Sequence, residues 1–227
     1  MVDLIITDFD GVILDSFEDQ FNWFKHICNL FDKPFSYKTL NEFKKVYVEP
    51  VYPNLYEFLG FNWDDEKEKS LIWEEYHKHK SKGELKIFEN IDKVIEEIST
   101  SGKILALASS NTHSAMEPYL KKFGLSDYFK SIVSREDLPK VNGDSLIKPH
   151  PVCLLITLKR LNVEPQNAVY IGDHTSDFFA ARNVGAYCDT ALPMIAVSYG
   201  YSLKEDFIKL GQNKIADNPL ELLSLIK

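Results

Sequence analysis

The chain has 227 residues, of which 44% are hydrophobic and 26% charged, and its formal net charge at pH 7 is −8. This composition is typical of an ordinary globular protein with one large or two modest domains, and the missing basic stripe argues against a nucleic-acid partner. No apolar run approaches the roughly 18 residues of a membrane span, and no signal sequence opens the chain. We therefore expect a cytoplasmic protein that does not bind membranes.

The three cysteines are odd in number, widely separated and set in apolar surroundings. They are Cys28, Cys153 and Cys188. This pattern favours reduced, buried thiols over a disulfide or zinc framework.

The first predicted strand begins near Leu4 and ends in Asp8-Phe9-Asp10-Gly11. An apolar run of this length is typical of a buried parallel strand, and alternation along it would point Asp8 and Asp10 to the same side. On its own, such a tetrapeptide is more often a surface turn, but the buried-strand pattern before it and the apolar run from Val12 to Leu14 after it favour a site at a strand end. Two carboxylates held so near each other repel. The pair therefore predicts a divalent metal between them, a raised pKa on one of the two carboxyl groups, or both. Gly11 would let the backbone turn sharply where a ligand approaches.

A helical and strongly aromatic segment is predicted at residues 15–86. Its aromatic and aliphatic side chains recur at helix spacing, for example at Phe17, Phe21 and Phe24. A stripe of this kind more often marks helix packing than a binding surface. We predict a helical cap domain at 15–86, inserted into a core domain made of residues 1–14 and 87–227.

From Ile87 onward the sequence alternates between helix and strand patterns. Apolar runs predict strands at 103–108, 131–133, 167–173 and 194–197, with amphipathic helices between them. Such alternation predicts a mainly parallel sheet covered on both faces, which is a three-layer, Rossmann-like α/β core.

Polar side chains follow these elements in a regular way. Because the carboxyl ends of strands converge on one crevice in open α/β sheets, we expect these residues to lie together. Carboxylates, a hydroxyl and one ammonium suit a hard cation and phosphoryl transfer. The residues are Asp8, Asp10, Ser109 and Asp173 at strand ends, Lys148 at a helix start, and Asp177 one helical turn beyond Asp173.

Four ordered segments resemble the motifs of the haloacid dehalogenase-like superfamily, and the likeness runs from about Leu4 to the end of the chain. Within it, the chain looks like the phosphoglycolate phosphatase-like branch, with a helical cap between the first two motifs. The segments are Asp8-Phe9-Asp10-Gly11-Val12 with Asp15-Ser16, Ser109-Ser110-Asn111, Lys148-Pro149-His150-Pro151, and Gly172-Asp173 with Asp177.

The resemblance implies a magnesium-dependent phosphatase that acts on a small phosphorylated metabolite. Asp8 would be the nucleophile that forms an aspartyl-phosphate, and Asp10 the general acid and base. Mg²⁺ would be held by Asp8, the backbone carbonyl of Asp10 and Asp173, with Asp177 as a ligand or a support.

The same resemblance implies a phosphate-binding set around the nucleophile. Ser109 and nearby backbone N–H groups would bind a phosphoryl oxygen, with Gly11, Ser110 and Asn111 in the same set, and Lys148 would pair with the phosphate and Asp8. Two choices stay open at this point. Ser110 could replace Ser109 as the oxygen donor, and Asp177 could be only a helix cap.

Other functions on this scaffold remain alternatives. A dehalogenase needs no second acid two residues after the nucleophile, so Asp10 argues against it. Dehalogenases and phosphomutases generally use a cap arginine, and no arginine precedes Arg135. A non-enzymatic phosphate-binding protein is the third alternative, because fold alone does not establish activity. The sequence does not identify the substrate or the oligomeric state.

Overall fold

A computed structural model describes residues 2–47, 51–80, 84–141 and 143–226. The chain divides into two units, one formed by Met1–Asp15 with Ile87–Lys227 and the other by Ser16–Lys86. None of the helices in these described ranges combines the length and the apolar character needed to cross a bilayer.

The strands and helices of the described residues alternate along most of the chain. The strands are β1 (Leu4–Thr7), β2 (Leu14–Asp15), β3 (Lys86–Ile87), β4 (Ile104–Ala108), β5 (Phe129–Val133), β6 (Lys140–Val141), β7 (Asp144–Ser145), β8 (Ala168–Gly172), β9 (Met194–Val197) and β10 (Ile215–Ala216). The α-helices are α1 (Phe17–Leu30), α2 (Leu40–Lys44), α3 (Tyr56–Phe58), α4 (Glu66–Lys80), α5 (Ile91–Thr100), α6 (His113–Lys122), α7 (Val152–Leu161), α8 (Thr175–Asn183), α9 (Lys204–Lys209) and α10 (Leu222–Leu225).

The first unit is built on a six-stranded sheet with the order β10-β9-β8-β1-β4-β5. All neighbouring strands in it run parallel. Strand β1 lies between β4 and β8, and Ile6 is in register with Ala106 on one side and Tyr170 on the other. A strand buried on both faces is mostly apolar, which is why β1 lacks the polar alternation of a strand with one exposed face.

Helices cover both faces of this sheet. Leu4 and Ile6 pack in a core cluster with Leu154 of α7, Ala180 of α8 and Phe207 of α9. On the opposite face, Ile5 lies beside a small apolar cavity that residues of α5 and α10 also line, among them Ile91, Ile95 and Leu222. The predicted three-layer, Rossmann-like α/β core is confirmed.

The second unit is helical and has an aromatic core. Helix α1 buries Phe21, Trp23 and Phe24, and the Phe21 ring lies 5.7 Å from that of Phe43 in an edge-on arrangement. The buried indole N–H of Trp23 donates to the hydroxyl of Tyr56 at 2.9 Å. The aromatic stripe of α1 is therefore a packing surface within this unit, because its rings pack against other aromatic rings of the same unit.

Candidate active site

The segment after β1 makes a tight turn that brings Asp8 to the carboxyl edge of the sheet. The N–H of Asp8 donates to the carbonyl of Ile171 at 2.9 Å, which extends the pairing of β1 with β8, and the Asp8 side chain is buried. Gly11 then turns the chain at a φ of 75°, a conformation that side chains with a Cβ rarely adopt. A Cβ at this position would also lie only 1.9 Å from Oδ2 of Asp173. Glycine is thus required by both conformation and space.

Lys148 places a buried positive charge between two of the predicted site carboxylates. Its Nζ lies 2.5 Å from Oδ2 of Asp8 and 2.6 Å from Oδ1 of Asp177, and the side chain is 3% exposed. The same Nζ donates to the hydroxyl of Tyr170 at 3.1 Å. A lysine buried in this way is stable only with such partners, and two carboxylates and a phenol supply the acceptors that its N–H groups need.

Asp177 acts both as a helix cap and as a member of the charged cluster. It lies in the first turn of α8, and its Oδ2 accepts the backbone N–H groups of Asp173 and His174, each at 3.0 Å. Its Oδ1 accepts Lys148 and the hydroxyl of Tyr170, the latter at 2.7 Å. Asp177 therefore caps α8 and pairs with Lys148 at the same time, and its part as a metal ligand or support remains a prediction.

Asp173 directly follows the strand β8 and is held by a loop that follows β9. Its Oδ2 accepts the backbone N–H of Tyr201 at 2.7 Å, and its own carbonyl accepts the N–H of Ser202 at 3.0 Å. Gly200 lies so close that a Cβ there would be 2.3 Å from the Cβ of Asp173. Sequence reasoning assigned no role to Gly200 or Tyr201, although they follow a buried strand at the same sheet edge.

Three carboxylates converge closely enough to share one cation. Oxygen atoms of Asp8, Asp173 and Asp177 lie within 4.8 Å of one another, and all three residues are buried. Oδ1 of Asp8 is buried and has no hydrogen-bond partner among the described residues. An orphaned carboxylate oxygen beside two further carboxylates is the donor set that a hard divalent cation prefers. The residues present therefore fit Mg²⁺.

The acidities of these groups reflect their mutual repulsion and their burial. Burial raises the pKa of Asp8 to about 7, although the Lys148 ammonium opposes this increase. Burial, together with the charges of Asp177 and Asp8, raises the pKa of Asp173 well above its usual range. For Asp177, burial alone would raise the pKa, but Lys148 and the hydrogen-bond donors outweigh it and leave the value lowered. The negative charge is therefore most stable on Asp177 when no cation is bound.

The segment after β4 reaches the second acid of the first motif. Ser109 is buried, and its Oγ accepts the N–H of Asn111 at 3.1 Å. The side-chain amide of Asn111 donates to Oδ2 of Asp10 at 2.7 Å. The Oγ of Ser110 is buried without a partner in the described part of the chain. Both serine hydroxyls thus have a proton available for an anionic oxygen.

The structure therefore gathers the predicted residues at the carboxyl ends of β1, β4 and β8. Asp8, Asp173, Asp177 and Lys148 form one buried charged group, whereas the carboxylate of Asp10 pairs with Asn111 instead of joining the three-carboxylate group. The part that its backbone carbonyl plays in binding a metal remains a prediction. Tyr170 also belongs to this group, because its hydroxyl contacts Lys148 and Asp177. In the sequence, Tyr170 is one residue of an apolar run that predicts a strand, and it was not predicted as a site residue.

A Rossmann-like fold with paired acids, a buried lysine and a hydroxyl at this edge defines an α/β protein equipped for phosphoryl transfer. The model of the haloacid dehalogenase-like hydrolase family matches residues 5–190. The chain belongs to this family, as the motifs predicted.

Individual relatives agree with this assignment. The chain is 26% identical over 224 residues to a phosphoglycolate phosphatase of Psychrobacter arcticus, with 95% of this chain and 91% of the relative covered. It is 23% identical to a phosphoglycolate phosphatase of Haemophilus influenzae over 141 residues, which are 62% of this chain but only 58% of the length of that relative.

A solved structure shows the same fold. It is a haloacid dehalogenase-like family hydrolase from Streptococcus pneumoniae, with a TM-score of 0.78, 22% identity, and coverage of 100% of this chain and 99% of that chain.

Proposed function

We propose that this protein is a magnesium-dependent phosphatase that hydrolyses a small phosphate monoester through an aspartyl-phosphate intermediate. Membership of the hydrolase family and the names of the phosphoglycolate phosphatase relatives support this activity. The observation that carries the proposal is the environment of Asp8. One of its oxygens contacts the Lys148 ammonium at 2.5 Å, and the other is buried without a hydrogen-bond partner in the described residues.

In the first step, a carboxylate oxygen of Asp8 attacks the phosphorus atom of the ester. The bond between phosphorus and the alcohol oxygen breaks, and Asp10 supplies the proton that the departing alcohol takes up. Asn111 holds the Asp10 carboxyl group through a bond of 2.7 Å to Oδ2. The product of this step is the phosphorylated Asp8 and a free alcohol.

In the second step, water hydrolyses the phosphorylated Asp8. Asp10 removes a proton from the water as it attacks phosphorus, so that phosphate leaves and the Asp8 carboxylate is restored. One residue can serve as acid and then as base because the first step leaves it deprotonated. The second step returns its proton, and the cycle can begin again.

Charge on the phosphoryl oxygens requires stabilisation in both steps. The Lys148 ammonium and the hydroxyl of Ser109 or Ser110 would bind these oxygens, with Gly11 and Asn111 at the edge of the same group. Asp8 and Asp173, with Asp177 as a ligand or a support and the carbonyl of Asp10, would hold Mg²⁺, which supplies charge neutralisation and orientation when it is bound. We also propose that the helical segment 15–86 serves as a cap that selects the substrate.

The names of the same relatives support a substrate class. Their name makes phosphoglycolate a first compound to test, together with other small phosphate esters. Asp10 at its position favours a phosphatase over a dehalogenase, which leaves a phosphomutase as the alternative enzyme on this scaffold.

The experiment is phosphate release from an aryl phosphate and from a panel of small phosphate esters, with Mg²⁺ or with EDTA. We expect turnover in the presence of Mg²⁺ that EDTA and Asp8→Asn abolish. Asp217→Asn is the matched control, because Asp217 is an exposed acid that pairs with Lys204. Its turnover should equal that of the wild type.

Other outcomes would contradict the proposal. Phosphate binding without turnover of any ester would indicate a non-enzymatic binding protein. Transfer of the phosphoryl group between positions of a sugar phosphate, without net release of phosphate, would indicate a phosphomutase.

A further inference from the structure

Tyr170 places a hydroxyl group in the middle of the buried charged group. It lies on β8 in register with Ile6 of β1 and Met194 of β9, and the residue has no exposed surface. Its ring belongs to the core cluster that includes Cys153 and Leu154 of α7. An aliphatic residue could fill such a position without burying a polar group, so the hydroxyl needs a separate explanation.

Both hydrogen-bonding capacities of this hydroxyl are directed at site residues. It accepts the ammonium of Lys148 at 3.1 Å and donates to Oδ1 of Asp177 at 2.7 Å. Lys148 in turn has three acceptors in this group, namely Asp8, Asp177 and the neutral phenol. The phenol oxygen accepts one N–H bond of the ammonium, and so it orients Nζ from a side where neither carboxylate lies.

We infer that Tyr170 is a positioning residue that holds the Lys148 ammonium against Asp8, where the amine can meet the phosphoryl group. This inference rests on the proposed function and deepens it. The three N–H bonds of the ammonium have three acceptors here, namely Oδ2 of Asp8, Oδ1 of Asp177 and the phenol oxygen. Because the phenol also donates its proton to Oδ1 of Asp177, it fixes both the ammonium and one of its carboxylate partners, and the ammonium is held in contact with Asp8.

The rigidity of the residue suits this role. A tyrosine side chain has few rotatable bonds, and here its ring is enclosed by the core of the sheet and of α7. Lysine has a long flexible side chain, so the position of its amine is only as well defined as the positions of the groups that it contacts. A small displacement of a group that stabilises the transition state has a large effect on rate.

The test uses Tyr170→Phe, which removes the hydroxyl and keeps the ring. We expect kcat to fall by about tenfold, and the inhibition constant of inorganic phosphate to rise severalfold, since both depend on the position of the amine. Thr157→Val is the matched control. It removes a buried hydroxyl that donates to the carbonyl of Cys153 within α7, and none of its hydrogen bonds involves Lys148, so both quantities should remain at wild-type values.

A double-mutant cycle separates positioning from mere packing. The phosphate dissociation constant, measured by calorimetry with Mg²⁺ present, reports on folded molecules and needs no turnover. If Tyr170 acts through Lys148, the phosphate affinity of Lys148→Met should not weaken further when Tyr170→Phe is added.

The possible results are distinct. Wild-type kcat and phosphate affinity in Tyr170→Phe would overturn the inference while leaving the proposed phosphatase intact, and so would effects that multiply in the double variant. Absence of turnover in the wild type would instead overturn the proposed function, and the inference with it.

Discussion

The backbone N–H of Tyr201 donates to the carboxylate of Asp173 at 2.7 Å, so a loop 28 residues further along the chain orients a candidate metal ligand. The donor is a main-chain group, and any residue except proline at position 201 would provide it. What the loop does require is the close approach of its neighbour Gly200. A Cβ at that residue would lie 2.3 Å from the Cβ of Asp173 and 2.5 Å from the carbonyl oxygen of Gly11.

We therefore predict that Gly200→Ala raises the Mg²⁺ concentration needed for half-maximal activity by tenfold or more. The added methyl group must displace either the loop or Asp173, because backbone atoms lie on its other side. Gly124→Ala is the control, since Gly124 has a positive φ but open space around it. That variant should lose about 1 kcal/mol of folding stability and keep the wild-type Mg²⁺ requirement. An unchanged Mg²⁺ requirement in Gly200→Ala would contradict the close approach described here.

The second prediction concerns binding of Mg²⁺ to the folded protein. Added Mg²⁺ should raise the melting temperature of the wild type, because a cation relieves the repulsion among Asp8, Asp173 and Asp177 and binds only the folded state. Asp173→Asn should abolish this shift while retaining an acceptor for Tyr201. Thermal unfolding with EDTA and with increasing Mg²⁺ provides the measurement. A full shift in Asp173→Asn would show that the cation binds elsewhere.

The same variant has a defined pH dependence when EDTA is present. Because the pKa of Asp173 is raised in the folded state, this residue favours folding at low pH and its contribution is lost as pH rises above the unfolded value near 3.9. Asparagine at this position does not titrate. The stability of Asp173→Asn relative to the wild type should therefore increase with pH in denaturant titrations run at several pH values. A constant difference between the two proteins would contradict the raised pKa.

A further prediction separates the roles of two adjacent residues after β4. Asn111→Ala removes the donor to Asp10 and should lower kcat by about tenfold, with little change in the melting temperature. Thr112→Ala removes the side-chain cap that accepts the N–H of Ala115 and should lower stability by about 1 kcal/mol while keeping kcat. Steady-state kinetics and thermal unfolding of both variants decide the matter. Loss of kcat in Thr112→Ala, together with loss of stability in Asn111→Ala, would contradict these two roles.

Another prediction concerns the thiols. Cys28 and Cys153 are buried, and burial raises the pKa of each to about 12, whereas Cys188 is half-buried. At pH 8 an aromatic disulfide reagent should modify one thiol per native chain and three after denaturation. Cys188→Ser should leave none reactive in the native protein. Rapid modification of two or more native thiols would be inconsistent with the packing of α1 and α7.

The strands that the sequence predicted best are the ones that the core buries most fully. Long apolar runs made β4, β8 and β9 predictable because a parallel strand covered on both faces admits few polar residues. Strand β10 has two residues and α9 has six, of which only Phe207 is buried. Segments this short carry no period, and their structure depends on pairing with β9 and packing on α8, which are set by the tertiary fold.

The candidate site also contains residues that the sequence could predict and residues that it could not. Asp8, Ser109, Lys148 and Asp173 were predictable because each follows an apolar run or opens a helix, and topology alone brings such positions together. Tyr170 and the loop at Gly200 were not predictable as site residues. A tyrosine inside an apolar run has the pattern of a core residue, and only the coordinates show where its hydroxyl points. The loop contact depends on the path between β9 and α9, which no periodicity specifies.

The contact between Lys148 and Asp8 joins atoms 140 positions apart along the chain. The lysine precedes α7 and the aspartate follows the central strand β1, so the pair joins two distant parts of the chain at one edge of the sheet. Local helices can form long before such a distant pairing, because the chain must first close a very large loop. During refolding, recovery of helical circular dichroism should thus run ahead of regained catalysis, and a partly assembled sheet would have ordinary helices but no working centre.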